Sequence, residues 1–402
     1  MPTIFSKNDI TIIGAGIVGL STAYNLQKKF PSKKILVIDK ESKVAAHQTG
    51  HNSGVIHSGL YYKPGSEKAL NCLKGYEQII EFAQEHAIDY DICGKLVVTV
   101  SRKEEQQLEN LYQRGIQNGL TGLKKLSPEH AKEIEPHVFC TEAIYVPQTG
   151  IINYKQISEK FKDLILKNGG EVRLNAELLN AKTNSNPIIL QTSQGDVETL
   201  RVVNCGGLYS DKISKILGID MDVKIIPFRG EYYKLEQSAE NLVKNLIYPV
   251  PNPDFPFLGV HFTRMIGGGI EAGPNAVLAF AREGYTNTTF NSVEFFETIG
   301  FKGFRKIATK YWREGSKEMY RSFSKRAFVS TLQRLIPEIK SSDVNPFGAG
   351  VRAQACNSKG ELLDDFSIYR NQNIINVVNA PSPAATACLA IGESIANLIS
   401  FT

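Results

Sequence analysis

The chain has 402 residues, of which 42% are hydrophobic and 22% charged, and its net charge is +5. That is too long for one ordinary core and too apolar for wholesale disorder, so two to three folded domains are expected. The mild positive bias suits an anionic ligand or an anionic membrane surface and falls short of what a nucleic-acid partner requires.

In chain order, residues 9–13 (DITII) read as a buried strand. Residues 17–29 read as a helix, with Leu20, Ala23, Leu26 and Phe30 at helical spacing, and 34–38 (KILVI) as a second buried strand. This strand–helix–strand order is a βαβ unit, and the unbroken apolar strands imply a parallel sheet covered on both faces. A helix is expected over 66–86, a strand over 95–100, and a helix opened by Ser127 and Pro128. Asn153 is expected to cap another helix, closed by Gly169–Gly170. Residues 187–203 resemble a hairpin, and 223–275 hold several strand-like pieces. Residues 276–335 carry twelve aromatics and eleven Lys/Arg against five Glu. Residues 374–379 (IINVVN) are again strand-like, and a helix is expected from about Pro383.

The N-terminus shows no signal-peptide pattern, and no apolar run reaches the roughly 18 residues of a membrane span. The six cysteines (Cys72, Cys93, Cys140, Cys205, Cys356 and Cys388) form no C-x-x-C pair, so no metal site and no disulfide framework is expected. Scattered thiols fit a reducing compartment. The expected location is the cytoplasm, with the inner face of a membrane as a compatible surface.

The strongest motif is Gly14-Ala-Gly16-Ile-Val-Gly19, set between the first strand and the first helix. The first glycine permits a tight turn, the second a close approach by a diphosphate, and the third close helix–strand packing. The helix tip offers free N–H groups to the phosphates. Asp39, 20 residues past Gly19, is placed to accept a ribose 2′-hydroxyl and would repel a 2′-phosphate there. The fingerprint serves NAD and FAD alike. The polar, small-residue segment His51–Gly59 suits a loop lying against a flat polar ring.

These segments resemble the D-amino-acid-oxidase-type flavoprotein superfamily and, within it, the L-2-hydroxyglutarate dehydrogenase group. The carriers are IIGAGIVGLSTAYNL (12–26), HNSGVIHSGLYY (51–62), VVNCGGLYSD (202–211), GAGVRAQACNSKGELLDDF (348–366) and NAPSPAATACLAIG (379–392). Many amine-oxidising relatives have proline after the arginine matching Arg352 and a D-G-x-P turn later. This chain has Ala353 and Lys359-Gly360-Glu361 instead. The resemblance implies an α/β fold: a Rossmann-like FAD-binding domain assembled from segments 1–90, 150–218 and 340–402. An inserted α+β substrate domain with a mainly antiparallel sheet would comprise 91–149 and 219–339. It implies FAD, held by Gly14, Gly16, Gly19, Asp39 and Lys40, then by Asn52, Ser53, Gly54, Val55 and His57. Gly206, Gly207 and the helix start at Pro383, Ala384, Ala385 and Thr386 complete the expected contacts.

The substrate so implied is a dicarboxylate 2-hydroxy acid, which needs cations for two carboxylates and a base for one alcohol. Arginine makes two parallel bonds to a carboxylate. Arg352 is the first choice, against an ion pair with Asp364 or Asp365, and Arg264 and Arg229 are candidates for the second carboxylate. Tyr233 and Tyr62 are candidate hydroxyl donors. Histidine is the usual base near neutral pH, and His261 is preferred, with His57 as flavin contact or alternative base. A membrane quinone is the implied electron acceptor, and the basic, aromatic stretch 276–335 reads either as a membrane face or as a helical lid. An amino-acid oxidase and a glycerol-3-phosphate dehydrogenase are the competing activities on this fold. A non-catalytic nucleotide-binding protein is the competing class.

Overall fold

The computed structural model describes residues 4–251 and 259–401, without the side chains of residues 4 and 5. The apolar strands foreseen at the N-terminus form the centre of an eight-stranded sheet. Five strands lie parallel in the order Ile374–Asn379, Gly195–Asn204, Ile4–Ile13, Ile35–Ile38 and Glu171–Arg173. Both faces are covered, which is why Ile35–Ile38 is apolar at every position. One face packs on the helices Ile17–Lys29, Tyr154–Lys167 and Cys388–Asn397 through Ile12, Leu20, Phe161 and Ile391. The other face packs Leu36, Ile38 and Leu190 beneath the short helix Ser210–Ile216. Each such fully buried side chain contributes about 1.5–3 kcal/mol. The hairpin foreseen at 187–203 is Ile188–Thr192 with Gly195–Asn204, antiparallel from Thr192↔Gly195.

A second sheet of nine strands is antiparallel except where Leu246–Pro249 runs parallel to Lys95–Thr99. Its core is Leu96, Ile247, Phe262, Ala272, Phe328 and Leu332. A small antiparallel sheet, Val55–Ile56 with Gly150–Ile152 and Tyr90–Asp91, lies outside both large sheets.

Two expectations are displaced. Residues 340–402 were assigned to the cofactor side, yet Val344–Asn357 pairs throughout its length with Val223–Leu235 of the substrate sheet. Its pairing partner lies more than a hundred residues upstream, beyond the reach of local sequence pattern. The last helix begins at Cys388, not Pro383. Residues 382–387 are turns, with Ala384 N–H donating to the Pro381 carbonyl and Ala387 N–H to that of Pro383. Residues 292–332 form four short helices of mixed character. Phe328, Val329 and Leu332 enter the core, whereas Phe296, Trp312, Tyr320 and Phe323 stay exposed.

Candidate active site

The glycine turn is built by steric exclusion. Gly14 has φ +110°, and a Cβ there would lie 2.4 Å from the Cys205 carbonyl oxygen. A Cβ on Gly19 would lie 2.0 Å from the Gly14 carbonyl oxygen. Gly16 differs: its Cβ would meet only Thr49 Oγ1, at 3.5 Å, so it would project into the space where a diphosphate must approach. Asp39 does more than the sequence implied. Its Oδ2 accepts from Ala15 N–H at 2.6 Å and its Oδ1 from Glu41 N–H at 2.9 Å, so the carboxylate itself holds the turn. Each oxygen keeps a lone pair for a ribose hydroxyl.

A cavity of about 900 Å³ opens from this turn toward the second sheet. The turn glycines, Asp39 and Lys40 line one end. Asn52, Ser53, Val55 and His57 line the middle, with Gly206 and Gly207 near the turn. Pro383, Ala384 and Ala385 also reach the cavity. The groups present fit FAD: an open-faced glycine for the diphosphate, an acid for the ribose and a pinned small-residue loop for the ring.

That loop is pinned from behind. Gly54 does not line the cavity; its φ is +69°, and a Cβ there would press within 2.7 Å of the Ile152 carbonyl. Thr386, foreseen as a cofactor contact, is fully buried instead. Its hydroxyl accepts from His57 N–H at 3.1 Å and pairs with Tyr154 Oη at 2.8 Å. Tyr154 in turn donates to the Val55 carbonyl. The hydroxyl positions the loop that lines the cavity.

The substrate sheet forms the opposite wall, and its register decides which side chains face the cavity. His261 pairs with Gly273, Gly230 with Gly350 and Phe228 with Arg352. One face therefore presents His261, Tyr232 and Arg352, with Tyr248 from the neighbouring strand, and all four line the cavity. The His261 ring stacks on Tyr248 with centroids 3.8 Å apart, and its Nδ1 lies 3.1 Å from the Gly259 carbonyl. That contact requires a proton on Nδ1 and leaves Nε2 as the acceptor when the ring is neutral. Burial, with the charges of Arg352 and Lys95, pulls the imidazole's pKa down to about 3, so the neutral form prevails at pH 7. Burial does the same to His57, also to about 3, with Lys95 the first charge opposing it. His57 Nε2 lies 3.4 Å from Ser382 Oγ, and its buried Nδ1 has no hydrogen-bond partner among the described residues. Burial also lowers the pKa of the Arg352 guanidinium, partly offset by Tyr232 and Glu318, though arginine stays charged.

Other expected residues lie elsewhere. Tyr233 points to the far side of its strand and packs on Phe328, ring centroids 4.5 Å apart. Arg264 is held by Asp91. Arg229 is 2% exposed and spends its guanidinium on Glu231, Asn287 and the Thr286 carbonyl. Strand alternation explains Tyr233 and Arg229, each one residue from a cavity-facing position, Tyr232 and Gly230. Tyr62 is buried behind the wall, under Lys68. Asp364 and Asp365 are engaged by Lys68, through its ammonium at 2.8 Å and its N–H at 2.8 Å. Tyr232 and Tyr248 went unforeseen; alternation from Arg352 across the paired strand would have found Tyr232, had the register been known.

A strap from the substrate domain closes the adenosine end. Arg282 pairs with Asp211 and the Leu208 carbonyl, Glu283 with Lys40, and Tyr285 with His47 at 2.9 Å. Tyr285 also stacks on His51 at 4.4 Å. Glu41, His47 and Glu283 converge closely enough to hold a cation, and the Lys40 ammonium bonds both carboxylates.

Fold and site together define a flavin-dependent oxidoreductase. The chain belongs to the FAD dependent oxidoreductase family, whose model matches residues 9–398, and FAD is its cofactor. It is 51% identical over 387 residues to an L-2-hydroxyglutarate dehydrogenase of Indibacter alkaliphilus, covering 96% of this chain and 97% of that one. It is 44% identical over 409 residues to the mitochondrial L-2-hydroxyglutarate dehydrogenase of Homo sapiens, covering 98% and 88%. Among solved structures it resembles the FAD-bound L-alpha-glycerophosphate oxidase of Mycoplasma pneumoniae, with a TM-score of 0.80 at 20% identity, covering 98% and 96%. At that identity the likeness speaks for the fold alone.

Proposed function

We propose that the protein oxidises L-2-hydroxyglutarate to 2-oxoglutarate. The observation that carries this reading is the shared sheet face of His261 and Arg352, a neutral base beside an anion clamp, above the flavin loop. The relatives of known name support the substrate.

Bound FAD supplies the two-electron acceptor for the hydride leaving C2. Arg352 holds the carboxylate next to C2 and so orients the single C2 hydrogen toward the ring. Nε2 of His261 takes the hydroxyl proton as the C2–O bond becomes a carbonyl. An imidazolium there is disfavoured by Arg352, and the substrate carboxylate neutralises that guanidinium, which raises the base's affinity for the proton. Tyr232 and Tyr248, which line the cavity, offer hydroxyls to the substrate oxygens.

The electrons then pass to a quinone. No described helix is long and apolar enough to cross a membrane. Contact would be peripheral, through Phe296, Trp312, Tyr320 and Phe323, which are 61–68% exposed amid Lys and Arg. Anaerobic addition of L-2-hydroxyglutarate should bleach the flavin, while the D enantiomer, glycerol 3-phosphate and amino acids should not. Bleaching by one of the latter instead would sink the assignment. Cosedimentation with anionic but not neutral lipid vesicles checks the membrane face.

A further inference from the structure

The substrate proposed above carries two carboxylates, and Arg352 accounts for one. The cations expected to meet the second are engaged elsewhere, Arg264 by Asp91 and Arg229 by Glu231. Lys68, which reaches the cavity wall, is bound by Asp364. One further cation sits near the base. Lys95 opens the strand Lys95–Thr99 and is 1% exposed, with no ion pair to any described carboxylate. Its ammonium lies 4.5 Å from the centroid of Tyr61 and 4.9 Å from that of Tyr248, the ring that stacks on His261.

We propose that Lys95 is the second anion site of the substrate pocket, receiving the carboxylate remote from the reacting carbon and thereby selecting dicarboxylates over monocarboxylates. The inference rests on the hydroxyacid dehydrogenase reading. Three observations support it. A buried ammonium without an acid is unfavourable, and two aromatic faces recover only part of its lost hydration. Accordingly burial pulls its pKa down to about 7. Strand pairing sets Val97 opposite Tyr248, so Lys95, two residues before Val97, shares the sheet face of Tyr248 and of the His261 ring stacked on it. A buried amine so perturbed, against the cavity-lining ring of Tyr248, is characteristic of a functional site. A carboxylate arriving beside Lys95 would supply the missing countercharge and restore full protonation of the amine.

The test uses the FAD-loaded protein and two ligands that cannot be oxidised, glutarate and butyrate, titrated by flavin absorbance. Wild type should bind glutarate about thirtyfold more tightly than butyrate. Lys95→Met should lose about thirtyfold in glutarate affinity, with butyrate changed less than threefold, and Lys95→Arg should recover part of the loss. The KM for L-2-hydroxyglutarate should rise in parallel, while that for L-2-hydroxybutyrate should not. Equal wild-type affinity for the two ligands would overturn the proposal without recourse to any variant. So would glutarate binding by Lys95→Met within threefold of wild type, or equal losses for both ligands. Those outcomes leave the dehydrogenase reading standing, whereas wild-type flavin that L-2-hydroxyglutarate fails to bleach removes that reading and this one together.

Discussion

The two ends of the cavity are made in different ways. The end that grips the diphosphate is contiguous: Gly14, Gly16 and Gly19 act through backbone shape within one turn, and Asp39 reaches back to Ala15. The end proposed to meet the substrate is dispersed. Lys95, Tyr232, Tyr248, His261 and Arg352 come from five strands, and only the register of the second sheet puts them on one face. Backbone recognition tolerates no change at a few positions. Side-chain recognition depends on which residue of each neighbouring pair points inward.

The largest effect is expected at the contiguous end. Gly14→Ala should yield a colourless protein, because the new methyl collides with the Cys205 carbonyl and a non-glycine residue at φ +110° is strained by on the order of 1–3 kcal/mol. The ratio of flavin to protein absorbance checks it; a yellow, active Gly14→Ala protein would erase the distinction between the two ends.

At the dispersed end, substitutions should leave FAD bound and act in pairs that report the register. His261→Asn should lower kcat by about 10²–10⁴-fold, and Arg352→Met should lower kcat/KM by about 100-fold. Tyr232→Phe should lower kcat/KM about tenfold, while Arg264→Ala and Tyr233→Phe should change it less than about threefold, being on the far face or engaged elsewhere. A Tyr233→Phe loss exceeding that of Tyr232→Phe would mean the strand is read one residue out of phase.

The smallest effect is on acid stability. His57 and His261 hold pKa values of about 3 when folded, below the usual 6.5 of an exposed imidazole. The unfolded chain therefore takes up protons that the folded chain refuses, and stability falls as pH drops from 6.5 toward 3. His261→Asn should flatten the decline of Tm between pH 6.5 and 4.5 relative to wild type, by on the order of 1–2 °C. A parallel decline in the two proteins would show that His261 is not buried neutral.

Several parts of the molecule were legible residue by residue. The strand DITII, the helix Ile17–Lys29 and the strand Ile35–Ile38 follow from apolar runs and glycine punctuation alone. The caps at Ser127 and Asn153 stand where expected, each side chain accepting from the first turn. Pro383 misled because proline marks a tight turn as readily as a helix start, and the helix waits until Cys388. Tyr233 misled because a tyrosine in a strand announces no face. Lys95 was passed over because a lysine beginning an apolar strand looks like an exposed strand end.

The sequence by itself determined the cofactor fingerprint and the βαβ unit that carries it. These depend on local sterics and on residue types whose chemistry has few substitutes. Only the tertiary structure decided that Val344–Asn357 belongs to the substrate sheet, that Tyr232 rather than Tyr233 faces the cavity, and that Arg264 and Arg229 are held elsewhere while Lys95 is buried without an ion pair to any described acid. The reason is that strand register is a long-range quantity: shifting a strand by one residue exchanges its two faces, and nothing within the strand itself records which partner sets that phase.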